Sequence, residues 1–172
     1  MKLIKPSYEI IPQQKGLEGI YKQIELAGRI CYASEPKNNV SAEQFVQRLI
    51  NSEHYSPLEH GTVYLYFNYS NFLGELDYYK YTDIEQKYLN NKYSKVVFVT
   101  EESNDTEVYI TTNYRVLVEN NWLDDLQYLC NPCKYHAKRI SVQLICDIGI
   151  TREANRHRSF SVCEQSTRQW RH

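Results

Sequence analysis

The residues 156–172, RHRSFSVCEQSTRQWRH, gather arginines and histidines in a chain whose formal net charge is only −1. Guanidinium groups hold phosphate oxygens in pairs and keep their charge at any working pH. Ser166, Thr167 and nearby backbone N–H groups can add neutral donors to the same anion. A solvated basic tail is the alternative, but the interleaved apolar residues Phe160 and Val162 favour a folded anion site.

A second polar cluster lies in HYSPLEH, residues 54–60, which we predict to be a loop that enters a strand. The side chains that could take part in catalysis or binding are His54, Ser56, Glu59 and His60. A nucleophilic triad is possible in composition, yet nothing here resembles the strand-to-helix nucleophile elbow. The alternative is a polar turn shaped by Pro57, in which Glu59 and His60 pair locally.

The third cluster is CNPCKYH, residues 130–136, where two cysteines and a histidine lie close together in sequence. A structural zinc site needs four ligands, and this stretch has no second closely spaced cysteine pair to complete one. A thioredoxin-like pattern is also absent around the CxxC, so a redox role is not indicated. We therefore predict no metal site and assign the stretch to a tight turn around Pro132.

The bulk composition predicts one soluble domain over residues 1–172, with 42% apolar and 24% charged residues. The near-neutral net charge argues against general nucleic-acid binding, which is the rival interpretation of the basic segment. No apolar run has the length of a membrane span, and the N-terminus has no signal-peptide core. We therefore expect a cytoplasmic protein with no membrane partner, whose five cysteines are reduced.

Hydrophobic periodicity places the elements that must position these clusters. Apolar residues at helical spacing predict a helix over 15–32, and Ser41 with Gln44 forms a capping box for the next helix. Helical spacing recurs in NNWLDDLQYL (120–129), with Asn120 or Asn121 as cap, and a last helix is expected from Thr151 as N-cap.

Runs of β-branched and aromatic residues predict the strands. They are GTVYLYFNY (61–69), KVVFVTE (95–101), EVYITT (107–112) and RISVQLICDI (139–148), the middle two forming a hairpin. Sixteen tyrosines suit half-buried antiparallel strands, because the ring packs while the hydroxyl reaches water. The result is an α+β fold with a mostly antiparallel sheet and flanking helices; the tyrosine-rich residues 68–94 give mixed signals.

The terminal segment matches a family signature. Arg156-His157-Arg158, seven residues and then Ser166, followed by Thr167-Arg168, resembles the RHR-x7-S-x-R motif of the flavin-dependent thymidylate synthases (ThyX). AGRICYAS (27–34) is similar to the early A-x-R-x-C/S-Y segment of that family, and HYSPLEHGTVYLYF (54–67) to its H-x-S/T-x-x-E-H element. The blocks occur in family order, with the tyrosine-rich stretch as an insertion between the second and third.

The resemblance implies a reductive methylation of dUMP. Members transfer a methylene from methylenetetrahydrofolate to dUMP, with FAD carrying hydride from NADPH, and release dTMP and tetrahydrofolate. They are homotetramers whose FAD and dUMP lie at subunit interfaces. The flavin performs the hydride step, and the protein orients and polarises the reactants.

Carried over residue by residue, the resemblance names a set of contacts. FAD would be held by Ser56 (from a neighbouring subunit), Arg156, His157, Arg158 and Glu164. The dUMP site would be lined by Glu153, Arg156, Glu164, Gln165, Ser166, Thr167 and Arg168. His54 is a candidate for the flavin and folate side of the cavity, and no metal is implied.

The chain also departs from the family. Gln169 stands where relatives have tyrosine, and the C-terminal portion that supplies the family's catalytic arginine has no counterpart. Asn113-Tyr114-Arg115 resembles the family's N-x-R flavin motif but precedes RHR. We therefore expect a fragment or a shortened homologue that does not make dTMP alone and binds FAD weakly. The alternative is a non-catalytic nucleotide- or flavin-binding module.

Overall fold

The computed structural model describes residues 5–35, 39–70, 83–100, 105–157 and 160–165, with the side chains of residues 69, 70 and 105 excepted. The strands are β1 Ser7–Ile11, β2 Thr62–Ser70, β3 Lys95–Thr100, β4 Asp105–Asn113 and β5 Ser141–Ile145. The α-helices are α1 Gly16–Tyr32, α2 Ala42–Asn51, α3 (83–89), α4 Tyr114–Glu119 and α5 Ile148–His157. Short 3₁₀ helices span Ser56–His60 and Leu123–Tyr128. The α+β class with antiparallel sheets is confirmed.

The larger sheet has the order β2-β4-β3, and every pairing in it is antiparallel. β2 alternates strictly: Val63, Leu65 and Phe67 are buried, while the tyrosines between them are half-buried. This period of two is what a strand with one core face requires. The predicted β3–β4 hairpin is confirmed by its register, in which Val96 lies opposite Ile110.

The smaller sheet pairs β1 with β5 in antiparallel register, so that Glu9 lies opposite Gln143. Its apolar side chains are more exposed than those of the larger sheet; Tyr8 is 74% and Leu144 60% accessible. The strand predicted at 139–148 is present but spans only Ser141–Ile145.

The N-terminal helices form where the sequence predicts them. In α1, Ile20 and Ile24 are fully buried against the larger sheet's core cluster. The Ser41–Gln44 capping box is present at α2, where each side chain bonds the backbone N–H of the other. Such a cap stabilises a helix by about 1 kcal/mol.

The prediction for 120–129 is wrong in its details. Asn120 and Asn121 do not cap a helix there; the segment is a 3₁₀ helix preceded by Trp122, without a side-chain cap. The α-helix in this region is α4, which the sequence analysis missed. Asn113 caps it by accepting a hydrogen bond from the Val116 N–H at 3.1 Å. Its six residues are too few to show helical periodicity.

The start of α5 is also corrected. The helix begins at Ile148, so Gly149 lies inside it and Thr151 is not its N-cap. Asp147 acts in its place, because its carboxylate accepts a hydrogen bond from the Gly149 N–H at 2.7 Å. This N–H lies in the first turn and has no partner within the helix. The Thr151 hydroxyl oxygen lies 3.0 Å from the Ile148 carbonyl oxygen, inside the first turn.

The mixed signals of 68–94 are settled in part. Residues 83–89 are helical, and YLNNKY ends that helix and turns into β3. Residues 71–82, which the resemblance assigns to an insertion, lie outside the described residues. None of the helices in the described ranges has the length and apolar character needed to cross a bilayer.

Candidate functional site

A cavity of about 400 Å³ lies where distant parts of the chain meet. The end of α1, the loop after α2, the first 3₁₀ helix and the start of α4 all contribute to it. Its walls are Cys31, Tyr32, Glu53, His54, Tyr55, Ser56, Pro57 and Arg115. The volume is within the range of small-molecule sites. Most of these residues belong to the blocks 27–34 and 54–67.

The segment predicted to be a loop is a 3₁₀ helix, Ser56–His60. Pro57 lies at its first turn, where a missing N–H costs nothing, and the Leu58 N–H bonds the Tyr55 carbonyl at 3.0 Å. Leu58 is fully buried, which anchors the helix to the core. The polar residues Ser56 and Glu59 are thereby held at fixed positions.

Glu59 does not pair with its neighbour His60, as the polar-turn alternative expected. One carboxylate oxygen contacts the Arg115 guanidinium at 2.5 Å, and the other accepts the Ser161 hydroxyl at 2.5 Å. Ser161 is 102 residues away along the chain. Glu59 therefore joins the HYSPLEH block to α4 and to the C-terminal segment.

Arg115 is a site residue that sequence reasoning undervalued. The Asn113 cap starts α4 and places Arg115 in its first turn, facing Glu59. Glu119, one turn further along, also pairs with Arg115 at 2.7 Å. The N-x-R pattern was the available signal, but its place in the sequence argued against it.

Side chains of the C-terminal segment, α1 and the 3₁₀ helix lie next to one another. Ser56, Cys163 and Cys31 are close enough for hydrogen bonding to shift the pKa of both thiols. Hydrogen bonding to Cys163 lowers the pKa of Cys31 to about 7; burial opposes this, and the Glu164 N–H assists it. The same interaction raises the pKa of Cys163, which burial raises further.

Glu164 holds the C-terminal segment against α5. Its two carboxylate oxygens accept hydrogen bonds from the Thr151 hydroxyl at 2.5 Å and the Asn155 amide at 2.9 Å. The predicted ligand residue is thus half-buried and already bonded by protein groups. Its backbone N–H nevertheless reaches Cys31 at the cavity wall.

The histidines of the block differ in environment. The Nδ1 atom of His54 is 2.6 Å from the Tyr32 hydroxyl, and both side chains line the cavity. His60 is largely buried, and its Nε2 atom has no hydrogen-bond partner among the described residues. Burial lowers the pKa of His60 against a smaller opposing effect of the Glu59 charge, so the ring is neutral at physiological pH.

The remaining predicted ligands lie apart from this cavity or outside the described residues. Glu153 and Arg156 form an exposed ion pair at 3.0 Å on α5. His157 and Gln165 are exposed. None of these four lines the cavity. Arg158, Ser166, Thr167 and Arg168 are not among the described residues, so their predicted contacts stay predictions.

The hydrogen-bond donors at the cavity are of the types that bind a flavin or a nucleotide. Ser56, His54 and the Arg115 guanidinium can donate to carbonyl or phosphate oxygens. The charge of Arg115 is offset by Glu59 and Glu119, so further cations must neutralise a phosphate. Within the described residues, no group of His, Cys, Asp and Glu side chains is arranged to hold a metal ion.

The lowered pKa of Cys31 leads to a testable prediction about thiol reactivity. Because only the thiolate is alkylated, the rate at Cys31 should rise with pH to a plateau with its midpoint near the pKa of about 7. Cys163→Ala removes the donor and should move that midpoint upward, towards about 8.5. Cys163→Ser retains a donor and should leave the midpoint low.

Site-resolved mass spectrometry after timed iodoacetamide treatment measures these rates. Equal midpoints in Cys163→Ala and Cys163→Ser would contradict a hydrogen bond from residue 163 as the main cause.

Comparison of the chain with protein-family models, with curated proteins and with solved structures gave no significant match. The family resemblance therefore rests on the sequence motifs alone.

Proposed function

We propose that this chain binds FAD and dUMP as a flavin-dependent thymidylate synthase does, in the reductive methylation of dUMP to dTMP. One observation supports the proposal above all others. The sequence blocks that resemble the family meet through hydrogen bonds around one cavity, although nothing in local sequence requires them to meet. The Tyr32–His54 hydrogen bond joins the first block to the second, and the Glu59–Ser161 hydrogen bond joins the second to the third.

The residues of this chain would have distinct tasks in such a site. His54 and Tyr32, bonded to each other, present a polar edge to the cavity. Arg115 is oriented by two carboxylates and can donate to a ring carbonyl. Arg158, Ser166, Thr167 and Arg168 would supply phosphate contacts. When bound, the flavin would supply the hydride.

The binding proposal predicts the effect of one substitution directly. Arg168→Ala should weaken dUMP binding by about tenfold or more, because a charge-assisted hydrogen bond contributes about 1.5–3 kcal/mol. Arg48→Ala, on the exposed face of α2, removes the same charge elsewhere and should leave dUMP affinity unchanged. Calorimetric titration measures both. Equal affinities in wild type and Arg168→Ala would contradict the assignment.

A second assay separates an enzyme from a non-catalytic module. Release of tritium from [5-³H]dUMP with FAD, NADPH and methylenetetrahydrofolate reports methylation, while flavin absorbance reports binding. Tritium release that depends on all three additions would support the enzyme and would contradict the expectation that this chain does not make dTMP alone. Binding of dUMP and FAD with no release would support the module. Failure of both ligands to bind would contradict either function.

The likeness to the family also bears on assembly. Family members place their sites between subunits, so we propose a homo-oligomer, with a tetramer as the family's form. The exposed apolar residues of the β1–β5 sheet, among them Tyr8, Ile10 and Leu144, offer a surface for such contacts. Analytical ultracentrifugation of the chain tests this; a monomer at all concentrations would contradict it.

A further inference from the structure

A second cavity, of about 600 Å³, lies in a part of the molecule that the proposed function does not use. Its walls are the segment between β1 and α1, the start of β2 and the residues 129–141. It shares no lining residue with the cavity around Cys31. The volume is in the range of small-molecule sites, and the chemistry of the walls indicates which molecule suits it.

The first wall is fixed by Gln13. Its side-chain amide donates to the Thr62 carbonyl at 2.8 Å, and its amide oxygen accepts the Thr62 N–H at 2.8 Å. Gln13 thus takes the place of a neighbouring strand at the start of β2. Gly19 lets the same segment lie close to α1, because a Cβ at this position would overlap the Gln14 carbonyl. The segment 12–16 is therefore held against both β2 and α1.

The opposite wall is fixed largely by one histidine. The stretch makes a tight turn, in which the His136 N–H donates to the Cys133 carbonyl at 3.2 Å. In the His136 ring, Nδ1 accepts the Cys133 N–H at 3.1 Å, and Nε2 donates to the Leu65 carbonyl at 3.2 Å. Both ring nitrogens are used in these bonds, so this buried side chain holds the turn against β2.

Two further hydrogen bonds hold the rest of this wall. The Ala137 N–H donates to the Thr111 hydroxyl in β4 at 2.9 Å. The Arg139 guanidinium donates to the Tyr93 carbonyl, just before β3, at 2.6 Å. Because both walls are bonded to other parts of the fold, the cavity is formed before a ligand arrives, which lowers the cost of binding.

Positive charge is concentrated at this cavity. Lys15, Lys134, Lys138 and Arg139 line it, and no Asp or Glu does among the described residues. In the same part of the chain, no carboxylate lies within salt-bridge distance of any of these four cations. The whole chain has 20 basic and 21 acidic residues, so this imbalance is local. Cations without carboxylate partners around one cavity favour an anionic ligand.

The uncharged part of the walls is mainly aliphatic. A nucleobase is commonly stacked on aromatic side chains. Tyr64 is the one tyrosine that lines the cavity among the described residues, and its ring already meets the His136 ring edge to face at 5.1 Å. Branched aliphatic side chains suit a hydrocarbon chain better than a flat ring. They are Ile10, Ile11, Ile20, Leu129 and Ile140.

We propose that this cavity binds an aliphatic phosphate monoester, a small molecule that joins a hydrocarbon chain to a phosphate group. The phosphate lies among the three lysines and Arg139, and the chain lies against the isoleucines. A phosphate monoester has a charge of about −1.5 to −2 near neutral pH and three acceptor oxygens, so it suits several cations better than a carboxylate does. The binding does not depend on FAD or dUMP.

Calorimetric titration of the full chain with alkyl phosphates tests the proposal. Butyl, hexyl and octyl phosphate share one head group, so the affinity should rise about tenfold with each added pair of CH₂ groups as more apolar surface is buried. Octanoate, octanol and octylamine have a weaker, an absent and a reversed charge, so each should bind more weakly than octyl phosphate. Octyl phosphate that binds no more tightly than inorganic phosphate, octanoate or octylamine would overturn the proposal.

Alkylation of Cys133 locates the bound molecule. Cys133 is exposed and lines this cavity, whereas Cys31 lines the other one. Saturating octyl phosphate should slow iodoacetamide labelling of Cys133 by about tenfold and leave Cys31 labelling unchanged. Protection of Cys31 without protection of Cys133 would place the ligand in the other cavity and contradict the assignment.

A pair of charge variants tests the role of the cations. Lys134→Ala/Lys138→Ala changes exposed side chains only and should weaken octyl phosphate binding by about tenfold. Lys22→Ala/Arg48→Ala removes the same charge from exposed positions on α1 and α2 and should leave the affinity unchanged. Circular dichroism checks that both variants are folded. Equal affinities in the two variants would show that the lysines of the cavity do not hold the phosphate.

Discussion

Leu58→Ala is expected to lower the free energy of unfolding by about 2–5 kcal/mol, because it removes a fully buried side chain and leaves a cavity in the core. Leu58 is the apolar anchor of the 3₁₀ helix Ser56–His60, which contacts both α1 and α4. Loss of the anchor should also loosen Ser56 and Glu59, and so weaken dUMP binding.

Urea unfolding followed by circular dichroism measures the stability change. Leu89→Ala is the matched control, because Leu89 is 48% accessible and its loss should change the free energy of unfolding by about 0.5 kcal/mol or less. A Leu58→Ala variant as stable as the Leu89→Ala control would contradict the anchoring role of this helix.

Asp125→Ala is expected to destabilise the chain by about 3–5 kcal/mol, the effect of breaking a buried ion pair. The Asp125 carboxylate accepts the Tyr88 hydroxyl at 2.7 Å and contacts the Lys87 ammonium at 2.6 Å. Tyr88 is fully buried, so its hydroxyl would lose its partner away from bulk solvent. Asp124→Ala, on an exposed neighbour, should have little effect.

A triple variant distinguishes lost pairing from lost packing. Lys87→Met, Tyr88→Phe and Asp125→Leu together remove every polar partner and retain the volume, so stability should recover most of the loss. The same urea titration gives the free energies of unfolding of the triple variant and of Asp125→Ala, and their difference distinguishes the two causes. A triple variant no more stable than Asp125→Ala would show that the polar contacts were not the cause.

Much of the fold follows from local pattern. The alternation in β2 and the capping box at Ser41 each predict their element from a few residues, and the structure confirms both elements. The same approach failed for α4, which is too short to show a period, and for the start of α5, where Asp147 competes with Thr151 as the cap. Local signals compete, and tertiary contacts decide among them.

The residues that line the cavity were predictable only in part. The resemblance named His54 and Ser56, which line it, and also Glu153 and Arg156, which form an exposed ion pair elsewhere. The Glu59–Ser161 and Glu59–Arg115 contacts join residues far apart in sequence, which no periodicity encodes. The tautomer of the buried His136 likewise depends on a residue far away in sequence, because its Nε2 atom donates to the Leu65 carbonyl in β2.

Alkylation of Cys31 in the presence of ligands tests most directly whether these blocks form one binding site. Cys31 lines the cavity proposed for FAD and dUMP, whereas Cys133 lines a separate cavity of about 600 Å³. We predict that saturating FAD and dUMP slow iodoacetamide labelling of Cys31 by about tenfold, as for a group covered by a ligand, and leave Cys133 labelling unchanged. Unchanged labelling of Cys31, or equal protection of both cysteines, would contradict the account.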